Sequence, residues 1–268
     1  MHSTVRAEQN FDFNRLYPWV VLIPLVIVLP LFFLIQTIHS TDWAMALVAF
    51  FVFDNLGVQI GVHKLLAHRS FSTHPWPMRL LAFLAVFSGQ GSPLVWVAVH
   101  MGNHHPGYET DKDLHSPKQG WRYAFLSWYW RVDTSKINFR LARVYVGDPI
   151  LVFIPRHHGL LLVTYWLVLS LLSLKALVFL GMLPALVSIV LAGLVNANLH
   201  GKKRIVELPL LKYQNHPGDS TYNSVLLGSC TMGLGLHNNH HADPTAPYNN
   251  QRWFEIDLSR FIIPLIRK

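Results

Sequence analysis

The histidines of this chain are its most chemically distinctive residues, because there are 16 of them and most are grouped. Nine fall into four short groups: "HKLLAH" (His63, His68), "HMGNHH" (His100, His104, His105), "NANLH" (His200) and "HNNHH" (His237, His240, His241). Neutral imidazole is a ligand for iron, zinc, copper and nickel. Nine ligands are too many for one ion and fit two ions of four or five ligands each. Open coordination positions suit oxygen chemistry better than a closed tetrahedral zinc site does.

Helical spacing predicts how these side chains point. Residues i, i+3 and i+4 share one face of an α-helix, so the "HNNHH" group is expected to direct three imidazoles into one cavity. His100 and His104 should likewise share a face, with His105 rotated away. A single histidine is more often structural than a ligand, and that interpretation applies to His2, His39, His74, His157, His158 and His216. His115, in "DKDLHSP", is ambiguous.

The composition predicts a membrane protein to position these groups, since 51% of residues are hydrophobic and only 13% are charged. Four segments are long and apolar enough to cross a bilayer, at 19–38, 43–62, 160–180 and 182–199. They form two hairpins, with a cap made of 63–158 and 200–268. The stretch 80–99 is broken by "SGQGSP" and is interpreted as a buried or interfacial helix pair.

The predicted fold is therefore an all-α integral membrane protein. Four transmembrane helices in two hairpins carry a cytosolic helical cap that holds a His-rich di-metal site. Residues 1–17 form an N-terminal cytosolic segment, and 18–268 form a single membrane domain. The N-terminal segment and the two cap segments contain 21 of the 22 Lys and Arg residues, so the positive-inside rule places both termini and the histidines in the cytoplasm.

Other features narrow the class of protein. The formal net charge of +8 fits a membrane surface better than nucleic acid. The single cysteine, Cys230, excludes an intrachain disulfide and makes a cysteine-based metal site implausible. No flavin, haem or iron–sulfur motif is visible, so any electrons are expected to come from another protein. Asp54 is the only acid well inside a span, where it either lines a substrate tunnel or bonds to a neighbouring helix.

With these motifs in order, the chain resembles the membrane fatty-acyl desaturases, in particular the short bacterial acyl-CoA Δ9 (stearoyl-CoA-like) group. The resemblance covers roughly 45–268 and includes "GVHKLLAHRSF", "GSPLVWVAVH", "DKDLHSP", "NANLH", "GDSTYNS" and "GLHNNHH". It implies that the nine grouped histidines bind two irons, with Asn196 assisting through a water. It also implies an acyl tunnel whose bend is lined by Gln90 and Trp96. Two departures stand out: "HMGNHH" is one residue longer than the usual HxxHH, and Ala98 replaces an arginine frequent in animal acyl-CoA members.

The resemblance also implies an activity and partners. The activity is O2-dependent introduction of a cis double bond, at the Δ9 position, into a saturated acyl chain linked to CoA or lipid. A separate electron-transfer protein of the ferredoxin, rubredoxin or cytochrome b5 type, with its reductase, supplies electrons, and the location is a bacterial inner membrane. A related di-iron hydroxylase or an ω-type acyl-lipid desaturase would use the same ligands. A non-enzymatic metal-binding protein or transporter is a further alternative, but transporter ligands are expected near the bilayer midplane.

Overall fold

Helices make up most of the computed structural model, which describes residues 17–108, 110–201 and 212–268. The predicted N-terminal segment thus lies, apart from its last residue, outside the described residues. In chain order the helices are α1 (Tyr17–Phe33), α2 (Ser40–Ala67), α3 (Pro75–Ser88), α4 (Pro93–Gly107), α5 (Tyr123–Ser127 continuing as Trp128–Arg131), α6 (Pro149–Leu172), α7 (Leu174–Asn198), α8 (Val225–Cys230), α9 (His237–Ala242) and α10 (Ser259–Ile266).

Short elements connect these helices. Single 3₁₀ turns lie at Pro117–Gln119, Thr134–Lys136 and Ala142–Tyr145. Two strands, β1 (Lys212–Tyr213) and β2 (Asn223–Ser224), pair antiparallel with Lys212 opposite Ser224. Asn223 of β2 also forms an antiparallel bridge with Leu236, the residue before α9, so this small ribbon lies beside the last histidine group.

Three helices, α2, α6 and α7, are each long and apolar enough to cross a membrane, and α1 is a shorter apolar helix interrupted by Pro24 and Pro30. A span needs about 20 residues at 1.5 Å each to cross the hydrocarbon core. The chain is a membrane protein, and the all-α membrane fold predicted from the sequence is confirmed.

The turns of both hairpins lie at one end of the helix bundle, away from the histidines. Asp42, at the start of α2, accepts a hydrogen bond of 2.9 Å from Nζ of Lys175, at the start of α7. Beside this ion pair the rings of Phe32, Trp43 and Phe179 contact one another, with centroids 5.4–6.2 Å apart. These contacts fix α1, α2 and α7 together at the end opposite the cap.

The break between α6 and α7 lies at Ser173. The sequence had suggested Gly181 as the boundary between the third and fourth predicted spans. Ser173 is extended, with φ at −174°, and its hydroxyl accepts a hydrogen bond from the Ala176 amide, so it caps the start of α7. Gly181 instead lies inside α7, where a Cβ would come within 3.0 Å of the Trp166 side chain on α6. The glycine therefore allows two helices to approach closely and does not end one.

The start of α6 also differs from the expected boundary. Helix α6 begins at Pro149, about three turns before the predicted span, so 149–158 is the first part of this helix and not a separate part of the cap. Proline is favourable at the first helical position, and the Asp148 carboxylate accepts hydrogen bonds from the amides of Ile150 and Leu151. Hydropathy alone does not reveal this start signal.

The predicted helix pair around "SGQGSP" is present as α3 and α4, which are bent by 86° where they meet. Gly89 and Gly91, with φ of 75° and 95°, form the break between them. Helix α3 lies very close to α2, because a Cβ on Gly57 would fall 2.5 Å from the Ala85 backbone nitrogen. The bend places Gln90 in the interior and directs α4 towards the end of α2 that carries His63.

Candidate metal centre and adjoining cavity

The nine grouped histidines come together as two neighbouring clusters. In the first, one ring nitrogen from each of His63, His68, His100 and His240 lies within 4.8 Å of all the others. His105 joins this cluster, since its Nε2 is 3.1 Å from Nε2 of both His100 and His240. These five residues, referred to below as the first cluster, come from α2, α4, α9 and the residue after α2.

The second cluster contains His104, His200, His237 and His241, whose ring nitrogens also lie within 4.8 Å of one another. Nε2 of His237 is 2.7 Å from Nε2 of His200 and 3.1 Å from Nε2 of His241. Asn196, one turn before His200 on α7, lines the cavity beside this cluster. Its position is compatible with the water-mediated role that the resemblance implies.

The donor geometry suits cations better than hydrogen bonds among imidazoles. Neighbouring Nε2 atoms are 2.7–3.2 Å apart. Nitrogens bound at right angles to one ion, with bonds of about 2.1 Å, would be separated by about 3 Å. Nε2 of His240 faces both His63 and His105, yet one ring nitrogen has a single in-plane donor or acceptor position. An ion at the centre can accept every lone pair at once.

Burial favours the neutral form that binds metals. Removal from water lowers the pKa of His200, His237, His240 and His241 well below the ordinary histidine range, and neighbouring imidazoles lower it further. An imidazole that stays unprotonated keeps a lone pair available for a cation. The clusters are therefore poised for metal without first losing protons.

Widened helical turns explain how the first two histidine groups reach one centre. The His68 amide donates to the His63 carbonyl at 3.0 Å, and the His105 amide donates to the His100 carbonyl. Both are i to i+5 bonds of π-helical turns, which often occur at functional sites. Each pair is thereby stacked on one face, and the extra residue in "HMGNHH" is absorbed while His100 still faces its partners.

Two expectations from α-helical spacing are corrected. His105 is not rotated away, because the π turn after His100 brings its ring into the first cluster. The "HNNHH" imidazoles do not share one cavity either. His240 faces the first cluster, whereas His237 and His241 face the second. Successive α-helical residues differ by about 100° in direction, so His240 and His241 diverge to the two sides of α9.

The two asparagines of "HNNHH" anchor α9 from its other face, a role that sequence reasoning did not identify. The Asn238 side chain accepts hydrogen bonds from the amides of Asn215 and His216, each at 2.8 Å. The Asn239 side-chain amide donates to the Asn249 carbonyl at 2.8 Å and to Glu255 at 3.0 Å. The sequence signal for this role is the pair of asparagines placed between histidines in the short segment "HNNHH".

A buried carboxylate orients one histidine of the second cluster. Nδ1 of His104 is 3.0 Å from Oδ2 of Asp113, which is fully buried. With Nδ1–H donating to the carboxylate, Nε2 of His104 presents its lone pair to the cluster. Burial raises the pKa of Asp113, but His115 and His104 lower it more, so it falls below the ordinary range. Burial lowers the pKa of His115 to about 4.

This aspartate and His115 belong to "DKDLHSP", one of the motifs that carry the family resemblance. Together with His104 they form a third group whose donor atoms lie within 4.8 Å of one another. His104 already faces the second cluster, so we interpret Asp113 and His115 as residues that orient His104 and not as a third metal site. The ambiguous His115 therefore lies beside the centre.

The cavity next to the clusters is lined mostly by apolar side chains. Its lining includes Gln90 and Trp96, as the resemblance implied, together with His100, His104 and His237. The Trp96 ring stacks near His100 at 4.6 Å between centroids and is 5.5 Å from His63. Apolar walls with few polar groups are typical of a site for an apolar ligand.

The histidines interpreted as structural do not join either cluster in the described part of the chain. His158 is buried and its Nδ1 bonds to the Pro155 carbonyl at 2.9 Å, while His216 contacts the Gln251 side chain. His39 and His74 precede helices α2 and α3, and His157 packs on Phe153. His2 lies outside the described residues.

A family model described as fatty acid desaturase matches residues 41–253. The chain belongs to the fatty acid desaturase family. Curated relatives agree. The sn-1 stearoyl-lipid 9-desaturase of Anabaena variabilis is 27% identical over 232 residues, which cover 84% of this chain and 82% of that protein.

Two further relatives carry similar names. The Delta-9 desaturase-like 3 protein of Arabidopsis thaliana is 30% identical over 78% of this chain and 68% of its own length. The sn-2 palmitoyl-lipid 9-desaturase of Nostoc sp. (strain 36) is 26% identical over 81% of this chain and 75% of its own length. This chain is therefore an oxidoreductase of the fatty acid desaturase type, which acts on fatty acyl chains.

Proposed function

We propose that this desaturase introduces a cis double bond near carbon 9 of a saturated acyl chain, using O2 and a non-haem di-iron centre. The nine grouped histidines would hold the two ions, one in each cluster, and Asn196 would assist the second through a water. The observation that carries this proposal is the pair of neutral imidazole clusters beside an apolar cavity that contains Gln90 and Trp96.

The reaction converts a –CH2–CH2– unit, O2, two electrons and two protons into –CH=CH– and two water molecules. Two iron ions would supply the oxidising chemistry, which unactivated C–H bonds require. The protein positions the substrate, and placement is decisive because a misplacement of about 1 Å can cost about 10²-fold in rate. Bent around Gln90 and Trp96, the acyl chain presents two neighbouring C–H bonds on one side, which favours the cis product.

We infer that the acyl carrier is a lipid rather than CoA. The cyanobacterial relatives are named as stearoyl-lipid and palmitoyl-lipid desaturases. Ala98, at the position of the arginine frequent in animal acyl-CoA members, is fully buried within α4 and offers no charge to a phosphate. The electrons would reach the cap from a separate carrier of the ferredoxin, rubredoxin or cytochrome b5 type with its reductase, at the cytoplasmic face of a bacterial inner membrane.

Expression in a host that lacks its own desaturase tests the activity. Mass spectrometry of derivatised fatty acids should locate one cis bond at carbon 9 in both 16- and 18-carbon chains. Hydroxy acids as the main product would instead identify a hydroxylase. A bond at constant distance from the methyl end would identify an ω-type enzyme. An isotope-labelled saturated fatty acid can be fed to the same host. Labelled unsaturated acyl groups that appear in membrane lipids before they appear in acyl-CoA would support the lipid carrier.

A further inference from the structure

A buried carboxylate on α2 has three hydrogen-bonding partners near the acyl cavity. Asp54 is 1% exposed. Its Oδ1 accepts a hydrogen bond of 2.6 Å from the Ser188 hydroxyl on α7 and one of 2.9 Å from Nε2 of Gln90. Its Oδ2 accepts from Nε2 of Gln59 at 3.4 Å. A neighbour on the same helix, α7 and the break between α3 and α4 thus all bond to one aspartate inside a spanning helix.

The hydrogen bonds to Asp54 determine how the Gln90 side chain is oriented. Because a carboxylate only accepts, the Gln90 amide must point its NH2 group towards Asp54 and Ser188. Its Oε1 is then directed the other way, where it accepts a hydrogen bond of 3.1 Å from the Trp96 indole. If the Gln90 amide were rotated by 180°, its NH2 group would face the N–H of the Trp96 indole, and two donors would oppose each other.

The contacts continue from Trp96 to the histidines. Trp96 and Gln90 both line the cavity, and the Trp96 ring packs on His100 and His63 of the first cluster. A continuous series of contacts therefore runs from Asp54 through Gln90 and Trp96 to the candidate metal ligands. Among the described residues no Lys or Arg forms an ion pair with Asp54, so ion pairing does not explain why an acid is buried here.

We propose that Asp54 is a positioning residue that sets which carbons of the acyl chain meet the metal centre, by fixing the orientation of Gln90 and Trp96. This inference rests on the proposed function. A buried acid in a membrane span is costly, and such residues are functional candidates for that reason. An apolar residue would have filled the same space without the hydrogen bonds, but it would have left the Gln90 amide free to turn.

The test compares substitutions that keep or remove the acceptor. In Asp54→Asn, the amide Oδ1 can still accept from Gln90 and Ser188, and its NH2 group can donate to Oε1 of Gln59, which has no hydrogen-bond partner among the described residues. Asp54→Asn should therefore keep a single bond position. Asp54→Leu should yield bonds at positions on both sides of the wild-type site, with a rate lower by about 10- to 100-fold.

Asp42 provides a matched control, because it lies on the same helix, is 4% exposed and bonds to Lys175 at the far end. Asp42→Leu should reduce the amount of protein in the membrane and leave the bond position unchanged. If Asp54→Leu does not accumulate, Asp54→Ser, which is too short to reach Gln90, should show the same spread of products. A single unchanged bond position in Asp54→Leu, or in Asp54→Ser where Asp54→Leu does not accumulate, would overturn the inference.

The wild-type result separates this inference from the proposed function. If the wild-type chain forms no unsaturated acid, the proposed desaturation fails. If it forms a single product and Asp54→Leu and Asp54→Ser also form that product alone, only the positioning role fails. The distribution of bond positions is the informative readout, because a purely structural role would change yield without moving the bond.

Discussion

Each imidazole has two ring nitrogens. The hydrogen bond made by the nitrogen that points away from the cluster fixes the direction of the nitrogen that faces the cluster. His104 shows this clearly, because its Nδ1 contacts the buried Asp113 while its ring faces His200, His237 and His241. Partners of this kind fix ring orientation and raise the basicity of the ligand. At the scale of single residues, the cluster therefore depends on side chains that would never touch a metal.

Asp113→Asn should weaken metal binding by the second cluster without unfolding the chain. Loss of a carboxylate behind a ligating histidine typically reduces metal affinity by about 10- to 100-fold. Activity should fall in iron-limited medium and recover in part with added iron. Iron content and product yield, measured across a range of iron concentrations, check this. Asp133→Asn is the control, since Asp133 is exposed and bonds only locally to Ser135 and Lys136. Equal sensitivity of both variants to iron would contradict the role assigned to Asp113.

His240→Ala should abolish desaturation and lower bound metal from about two ions per chain to about one, because it removes a ligand of the first cluster only. Zinc binds nitrogen donors more tightly than ferrous iron, so the protein should be produced with iron supplied. His157→Ala is the control, because His157 packs on Phe153 and belongs to neither cluster. Elemental analysis of the purified variants provides the measurement. An unchanged metal content in His240→Ala would show that the grouping of imidazoles is wrong.

At the scale of elements, the shape of helix α4 decides where the histidines of "HMGNHH" point. Its π turn spans His100–His104, and the turn is held in place by the segment after α5. Asn103 donates to the Lys136 carbonyl and accepts from the Asn138 amide, both at 3.0 Å. The backbone passes so close that a Cβ on Gly102 would lie 2.2 Å from the Asn138 carbonyl oxygen.

Gly102→Ala should therefore destabilise the protein by about 1–3 kcal/mol, the usual cost of forcing an extra group into a packed site. Either α4 or the 134–140 segment must move, and a shift of α4 would displace His100 and His104 from their clusters. Thermal unfolding in detergent and metal content should both decrease. Gly147→Ala is the control, since a Cβ there meets nothing within 4 Å. Indistinguishable unfolding temperatures would contradict the close packing of α4.

Much of this arrangement could be predicted from local sequence, and the errors have physical causes. Hydropathy identified the three long apolar helices α2, α6 and α7 and the shorter α1, which ends at Phe33 instead of continuing to residue 38, and histidine grouping identified the nine imidazoles. The direction of His105 was missed because π turns leave no simple spacing signal. The break at Ser173 was missed because glycine looked like a turn, whereas Gly181 serves close packing against Trp166. Asp113, Asn238 and Asn239 were missed because their roles depend on contacts distant in sequence.

For the whole molecule, the distribution of charge and the fold suggest a consistent placement in the membrane. The hairpin turns lie at one end of the bundle with Asp42 and Lys175, and the clusters and the cap lie at the other. Of the 22 Lys and Arg residues, 21 belong to the N-terminal segment and the cap segments. Positively charged loops are retained in the cytoplasm, so the cap and both termini should be cytoplasmic.

Cysteine labelling tests this topology in a Cys230→Ser background. A cysteine placed at Thr37, in the exposed turn between α1 and α2, should react with a membrane-impermeant maleimide added to intact cells. Cysteines at the exposed positions Gln119, in the cap, and Lys268, at the C-terminus, should react only after the membrane is permeabilised. Labelling of Gln119 and Lys268 from opposite faces would mean that only one of α6 and α7 crosses the membrane. Labelling of all three positions from outside would mean that α3 and α4 together form a further span. Labelling of Gln119 and Lys268 from outside with Thr37 protected would reverse the orientation, and the electron donor would then have to act on the other side of the membrane.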